Sequence, residues 1–410
     1  MSISSNQEVS KFGSKIKLYL NWLIPIGIFI LFVFIYFLNS GHVWDVVSQK
    51  QNMIFGSDTM DTLDNLKELT FEVDTKKRML FSITLTPIAK SIQMVLGLSQ
   101  NKSIRLALAI MAALNITGVY LFLKKYSSST LESLLFTGFY SFFFTNFVIF
   151  SIPETYSVSN LFILIYIATF YLLRKSLTVY SCVLLSVITG VASLYNPVLL
   201  SLVIIPIIMF IFHSDRKRWM VISFSNLAIG LIIYFFANYL VFKENPFVVL
   251  NYYATSYASI TNLLDIKSVI GVFSNFYFYS ILSPHDYLTS SLELIDWLGY
   301  GNFIIATVVI LLIGIFLIYG VYMLFAKNIQ KEAFLQSLLI WTVLLTLFYT
   351  FFNPKEAILY SSQILFPLVI VFIYAFKTLT WKLPIKYAVF CLCLLFIAYN
   401  NVTAFLNGVG

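Results

Sequence analysis

The chain has 410 residues, of which 60% are hydrophobic and only 11% charged, and its mean hydropathy is +0.88. A soluble domain of this size carries about 25% charged residues and has no interior large enough for so much apolar surface. The net charge of +8 is spread over short Lys and Arg clusters between apolar runs, so orientation in a membrane, not a nucleic-acid partner, accounts for it.

Continuous runs of about twenty apolar residues, the length of a membrane-crossing helix, recur along the chain, whereas barrel strands alternate over about ten residues. In chain order they place spans near 18–39, 104–123, 131–151, 157–173, 177–194 and 198–213, then near 219–242, 303–326, 333–352, 358–376 and 387–405. The expected fold is an all-α polytopic membrane protein, one transmembrane domain over residues 1–410 with about 11 transmembrane helices. The first run has no small-residue cleavage site and reads as a retained helix. Only Leu194-Tyr195-Asn196-Pro197 separates the fifth and sixth runs, which are either two spans or one broken hairpin that stops short of crossing. Cys182, Cys391 and Cys393 lie inside apolar runs, as small buried hydrophobes with no metal-ligand spacing.

Charge gives these spans a direction. With the N-terminus in the cytoplasm, the inner segments hold 15 of the 26 basic residues and 4 of the 18 acidic ones. Every short inner loop is then basic, including Arg216-Lys217-Arg218, as the positive-inside rule requires. Residues 79–98 are apolar enough to count as a further span, which would invert everything downstream. Pro87 and Lys90 in their middle argue instead for a helix at the interface. Two long segments face the other side. Residues 40–103 carry seven of the 18 acidic side chains, and 243–302 are rich in Tyr, Phe, Asn and Ser, so function is expected there and at the helix ends facing them.

The most informative stretch is Phe55-Gly56-Ser57-Asp58-Thr59-Met60-Asp61-Thr62-Leu63-Asp64-Asn65-Leu66-Lys67-Glu68-Leu69. Asp58, Asp61 and Asp64 recur every third residue, and Met60, Leu63, Leu66 and Leu69 do the same, which predicts an amphipathic helix at the membrane surface. Asp58 is either its N-cap, with Asp61 complementing the helix dipole in the first turn, or the start of an acidic stripe facing water above the bilayer.

An acidic motif directly after the first span, on the side away from the cytoplasm, resembles the GT-C superfamily of integral membrane glycosyltransferases. The run 79–126, from Met79-Leu80 through Arg105 to Lys124-Lys125-Tyr126, looks like that family's interfacial helix, polar turn and arginine opening the second span. Pro153-Glu154-Thr155-Tyr156 opens the fourth span from outside. Asn353-Pro354-Lys355-Glu356, followed by Tyr360-Ser361-Ser362, opens the tenth in the way related bacterial members do. Lys77-Arg78-Met79-Leu80 stands where the protein mannosyltransferase branch has a His-Pro pair, so the resemblance leaves sugar and acceptor open.

The resemblance implies transfer of a sugar from a polyprenyl-phosphate donor to a glycan, lipid or protein acceptor on the external face of a prokaryotic cell membrane. Asp58 is then the first choice for the base, and Asp61 an alternative base or an orienting group. Lys77, Arg78, Arg105 and Lys355 are candidates for holding the phosphate, or they snorkel to the interface as Lys and Arg at span ends do. Glu154 and Glu356 suit helix N-termini and have a lesser expected role toward sugar hydroxyls. His285 either orients an acceptor or belongs to an ordinary Ser-Pro-His-Asp turn, which is favoured. No cofactor is required; two carboxylates at Asp58 and Asp61 make a weak site for a divalent cation. Membrane lipids are the remaining partners.

Two other classes compete. An O-antigen polymerase or ligase is expected to carry a large external loop rich in Arg and His, and 243–302 has no Arg. A lipid-linked sugar transporter or flippase calls for charges within the spans or symmetric halves, and neither is evident.

Overall fold

The computed structural model describes residues 3–47, 59–68, 79–127, 129–174, 178–212, 216–242, 245, 247–248, 251, 254–255, 258–283, 303–326 and 332–409. Among the described residues every regular element is helical. Helix α1 (Ile3–Val47) is followed by α2 (Thr59–Glu68), α3 (Met79–Leu96) and α4 (Gln100–Ser127). The chain turns from α3 into α4 at Gly97, whose φ of 63° is a left-handed conformation that glycine adopts without steric cost, with its N–H bonded to the Gln93 carbonyl at 2.9 Å.

Next come α5 (Thr130–Ser141) and α6 (Phe144–Ile149), then α7 (Tyr156–Leu173) and α8 (Val179–Tyr195). A 3-10 segment over Pro197–Val203 leads into α9 (Ile204–Phe212) and α10 (Arg216–Phe242). The segment 243–302 contributes α11 (Thr261–Leu264) and α12 (Ile266–Ser274), the latter running into a π-helical turn over Asn275–Tyr279. The chain ends with α13 (Phe303–Ala326), α14 (Ala333–Phe352), a 3-10 turn over Pro354–Glu356, α15 (Ala357–Thr378) and α16 (Leu383–Val409).

Within the described residues eight helices are long and apolar enough to cross a membrane: those containing 21–44, 100–127, 156–173, 216–240, 304–326, 333–352, 357–378 and 383–407. All eight fall on predicted spans. The other three predicted spans are also apolar helical segments, but each is short or broken. The predicted fifth span is α8, 17 residues and so about 26 Å long; the sixth is α9 with its 3-10 lead, about 27 Å, both just under a hydrocarbon core of about 30 Å. Pro197 separates them because it has no N–H to continue the hydrogen bonding of α8.

The predicted third span, 131–151, is interrupted at Phe142 and Phe143. A broken helix among apolar neighbours is stable only where the freed backbone groups find partners within the protein. Here the Phe144 and Thr145 N–H groups reach the Ile281 and Ser280 carbonyls at 3.4 and 3.1 Å. The Asn401 amide from α16 donates to the Phe142 and Ile281 carbonyls, both at 2.7 Å, and its oxygen accepts the Ser283 N–H at 2.9 Å. One buried side chain thus joins three separate elements.

Helix α15 is the axis of the bundle, almost wholly buried, with α5, α6, α7, α13 and α14 packed around it. Helices α1, α10, α13 and α16 form the outside and expose rows of large apolar residues such as Phe34, Ile232, Ile318 and Leu395. Such a surface suits lipid, not water. Of residues 79–98, Met79–Leu96 form α3, an 18-residue helix that buries Phe81, Leu85 and Ala89 against its neighbours while Met94 and Val95 stay exposed. It packs on α4 and α8. Helix α2 lays buried Leu63 and Leu66 on α3. Burial of each leucine contributes about 1.5–3 kcal/mol. The Thr86 hydroxyl donates to the Leu66 carbonyl and the Gln100 amide to that of Lys67, at 3.3 and 3.0 Å. The amphipathic helix expected from the sequence therefore rests its apolar face on protein, and Asp64 faces outward beside Lys67 at 3.3 Å.

Candidate functional site

A cavity of about 480 Å³ lies between α8, the Pro197–Val203 segment, α14 and the start of α15, at the end of the bundle that the charge pattern assigns to the outside. Its mouth is polar. The Asn353-Pro354-Lys355-Glu356 motif folds as the 3-10 turn that joins α14 to α15, which projects Asn353 and Glu356 into the cavity. The Tyr360 hydroxyl, one helical turn on, donates to Glu356 Oε2 at 2.7 Å, and the Asn353 amide lies 3.4 Å from the same hydroxyl. The Tyr360 ring stacks on Tyr349 with centroids 4.0 Å apart and planes at 9°, and Tyr156 meets it edge-on at 5.9 Å. The Tyr349 hydroxyl in turn donates to the buried Gln363 amide oxygen at 3.2 Å. A carboxylate and three phenol rings are thereby held in one arrangement by partners from α7, α14 and α15.

Away from this polar end the wall becomes apolar, with Val198, Ile204, Leu344, Leu345 and Phe348. At the far end the Trp341 indole N–H donates to the Ser201 hydroxyl at 3.1 Å. Asn196, also in the lining, caps the 3-10 segment by accepting the Val198 N–H at 3.1 Å.

Both long segments between spans, 40–103 and 243–302, border the cavity. Tyr195, a lining residue at the end of α8, donates its hydroxyl to Thr84 of α3 at 3.1 Å. The Ser259 N–H, just before α11, reaches the Phe351 carbonyl at the end of α14 at 3.0 Å. On α12, Asp265 accepts the Lys267 and Ser268 N–H groups as the N-cap, and its carboxyl is held below the usual carboxylate range chiefly by the Ser268 hydroxyl at 2.7 Å.

Of the residues singled out from the sequence, Glu356 lies in the cavity. Glu154 is fully buried immediately before the lining residues Thr155 and Tyr156; its carboxylate accepts the Thr155 N–H at 3.2 Å and its carbonyl the Ser157 hydroxyl. That is the contact expected of an acid at a helix start. Arg105 on α4 points at α1, donating from Nε to the Ser40 hydroxyl at 3.0 Å and from Nη2 to the Phe37 carbonyl at 2.8 Å, with its guanidinium over the Phe37 ring. It ties the second span to the first. Lys355 belongs to the 3-10 turn and Asp61 to α2, but their side chains lie outside the described residues, as do Asp58, Lys77, Arg78 and His285 entirely. Among the described residues no three His, Cys, Asp or Glu side chains converge as a metal site.

Tyr349, Trp341 and Asn196 escaped the sequence reading. An Asn-Pro step between two apolar runs was the signal available for Asn196. Nothing in the local sequence separates Tyr349 or Trp341 from the other aromatics of an apolar helix.

No family model matches the chain, and no curated protein matches it in sequence.

Proposed function

We propose that the chain is an integral membrane glycosyltransferase of the GT-C type, moving a sugar from a polyprenyl-phosphate donor to an acceptor at the external face. The observation that carries this reading is the cavity. Its lining is polar at one end and apolar along the rest, it sits at the end of the bundle that the charge pattern assigns to the outside, and α3 and the segment before α11 both contact residues at its border. A substrate with a carbohydrate head and a hydrocarbon body needs such a place, where water and lipid meet.

In this mechanism Asp58 takes the proton from the acceptor hydroxyl or amide as that atom bonds to the anomeric carbon of the sugar. The bond from that carbon to the phosphate oxygen breaks, and the electron pair leaves on the polyprenyl phosphate. Lys77, Arg78 and Lys355 are the cations proposed to hold the departing phosphate, with Arg105 as a further candidate from its place beside α1. Asp61, three residues on in the sequence, is the alternative base or an orienting group. Glu356 and Glu154 serve the sugar side, Glu356 by direct contact and Glu154 by positioning Thr155 and Tyr156.

The test uses wild-type protein and Asp58→Asn in nanodiscs with a panel of polyprenyl-phosphate sugars, following binding and transfer separately. The expected result is an Asp58→Asn protein that binds donor and has lost transfer. Unchanged transfer moves the base to Asp61. A wild type that binds no polyprenyl-linked sugar removes the glycosyltransferase reading and returns the transporter.

A further inference from the structure

A narrow groove of about 30 Å³ lies between α13 and α16, toward the end of the bundle that the charge pattern assigns to the cytoplasm. Phe136 and Phe139 of α5 and Phe372 and Phe376 of α15 make its floor. Their rings interlock: Phe136 meets Phe376 at 5.6 Å between centroids and Phe390 of α16 at 4.4 Å, and Phe139 meets Phe372 at 5.4 Å. The lining is hydrocarbon apart from the Cys393 thiol. Helices α13 and α16 are both on the outside of the bundle, where they expose rows of apolar residues, so the groove opens onto lipid. It has room for a stretch of hydrocarbon chain and none for a polar head group. The larger cavity is elsewhere: Tyr360 in that cavity and Phe372 in this groove are twelve residues apart, about 18 Å along α15.

Positive charge stands at the inner end of the groove. Lys386 precedes the groove residues Val389, Phe390 and Cys393 by three, four and seven positions, which puts it on their face of α16. It is only 8% exposed, and its ammonium donates to the Phe376 carbonyl at 3.1 Å and lies 5.6 Å from the Phe376 ring centre. That carbonyl is one of those a helix leaves open in its last turn. An ammonium has three donors, and this contact uses one. Lys382 is exposed one turn earlier, its carbonyl accepting the Lys386 N–H at 3.1 Å. Among the described residues neither lysine pairs with a carboxylate; Glu132 meets Lys377 at 3.8 Å and the Tyr387 hydroxyl at 3.4 Å instead. Trp381, beside Lys382, is 44% exposed and its ring meets that of the groove residue Phe316 at 6.3 Å. An indole so placed suits the level where lipid chains give way to head groups.

We infer that the groove and its two lysines form a site for one anionic phospholipid of the inner leaflet. An acyl chain lies along the phenylalanine floor, and Lys382 and Lys386 take the negative head group from the end of α16. Charge complementarity selects this occupant: the groove accepts any hydrocarbon chain, and two cations without a carboxylate favour a head group with net negative charge. The site is independent of sugar transfer.

Trp381 reports on the groove. The protein is placed in nanodiscs of phosphatidylcholine with dibrominated chains, which quench a neighbouring indole. Unbrominated phosphatidylglycerol or unbrominated phosphatidylcholine then replaces it in steps. The signal is recovery of Trp381 emission, taken as the difference between each protein and its own Trp381→Phe variant. Phosphatidylglycerol is expected to restore half the emission at a mole fraction at least fivefold lower than phosphatidylcholine, since a lysine at the surface is worth about fivefold toward an anionic lipid. Lys382→Ala combined with Lys386→Gln should bring the two midpoints within twofold. If that double variant fails to fold, Lys382→Ala alone should at least halve the preference. Lys125→Ala, at an exposed lysine at the end of α4, should leave it unchanged. Equal midpoints in the wild type overturn the inference, as does a preference that survives loss of the two lysines or disappears with Lys125→Ala, because diffuse surface charge would then account for it. Trp381 emission that brominated lipid never quenches also overturns it, by showing that protein, such as a second copy of the chain, covers the groove.

Discussion

Asn401→Leu tests whether the broken third span is held in the way its hydrogen bonds indicate. Asn401 is fully buried on α16, and leucine keeps its branching and number of heavy atoms while removing the polarity, its larger volume adding some overpacking. Three backbone groups lose a partner: the carbonyls of Phe142 and Ile281, each at 2.7 Å, and the Ser283 N–H at 2.9 Å. In soluble cores a buried polar group deprived of its partner costs about 1–3 kcal/mol. Side-chain hydrogen bonds between membrane helices average about 0.6 and reach about 1.7 kcal/mol, because the chain unfolded within lipid also finds partners. The Ile281 carbonyl keeps a long bond from the Phe144 N–H at 3.4 Å, which lowers its share. Between these limits the loss is about 2–4 kcal/mol.

Cys391 and Cys393 on the same helix provide the assay. Both are unpaired and half-buried, and they lie about 12–15 Å along α16 from Asn401. A thiol-reactive fluorophore followed during heating in detergent then reports the loosening of α16. Asn400→Leu is the comparison, since its amide makes one short bond, to the Ser283 carbonyl at 2.8 Å, from a half-buried position. Asn401→Leu is expected to lower the midpoint clearly more than Asn400→Leu does. Midpoints within about 0.5 kcal/mol of wild type, or no worse than that of Asn400→Leu, would falsify the clamp.

Two further predictions concern the frame and the rim of the site. A Cβ on Gly190 would lie 2.7 Å from Ile233 Cβ across the α8–α10 contact, so Gly190→Ala should cost about 1–3 kcal/mol, and Ile233→Ala should recover part of it in a double-mutant cycle. Strictly additive effects would show that the helices do not meet there. Asp265 has a carboxyl pKa lowered in the folded protein, so its capping of α12 is fully present above the ordinary carboxylate value and is lost as pH falls through the lower folded value. Amide exchange across 266–274, corrected for its intrinsic pH dependence, should stay flat from about pH 8 to 5 and rise only below about pH 4. A change centred near neutral pH would show that another group controls this helix.

Much of the architecture was legible because lipid imposes a strong rule: a chain crossing it must be helical and apolar for about twenty residues. That rule located all eight long helices within a few residues, and the amphipathic spacing after the first span located α2. The break at Phe142 was not legible. Residues 131–151 are uniformly apolar, and the groups that stabilise the interruption, Asn401, Ser280 and Ile281, are more than 130 positions away in the chain. The Asn353–Glu356 motif stood out as polar between two spans, and Glu356 does face the cavity. Arg105 opens the second span as the sequence suggests, and only the structure shows that its guanidinium meets Ser40 and Phe37 on α1.

The sequence by itself determined that this is a helical membrane protein, where its spans lie and which residues stand at their ends, because hydropathy and periodicity are local properties read within about twenty residues. Tertiary structure alone decided that Tyr156, Asn196, Tyr349 and Glu356, drawn from distant parts of the chain, share one cavity. In an apolar helix a tyrosine facing lipid and a tyrosine facing a substrate look alike; only the packing of α7, α8, α14 and α15 around a common space separates them.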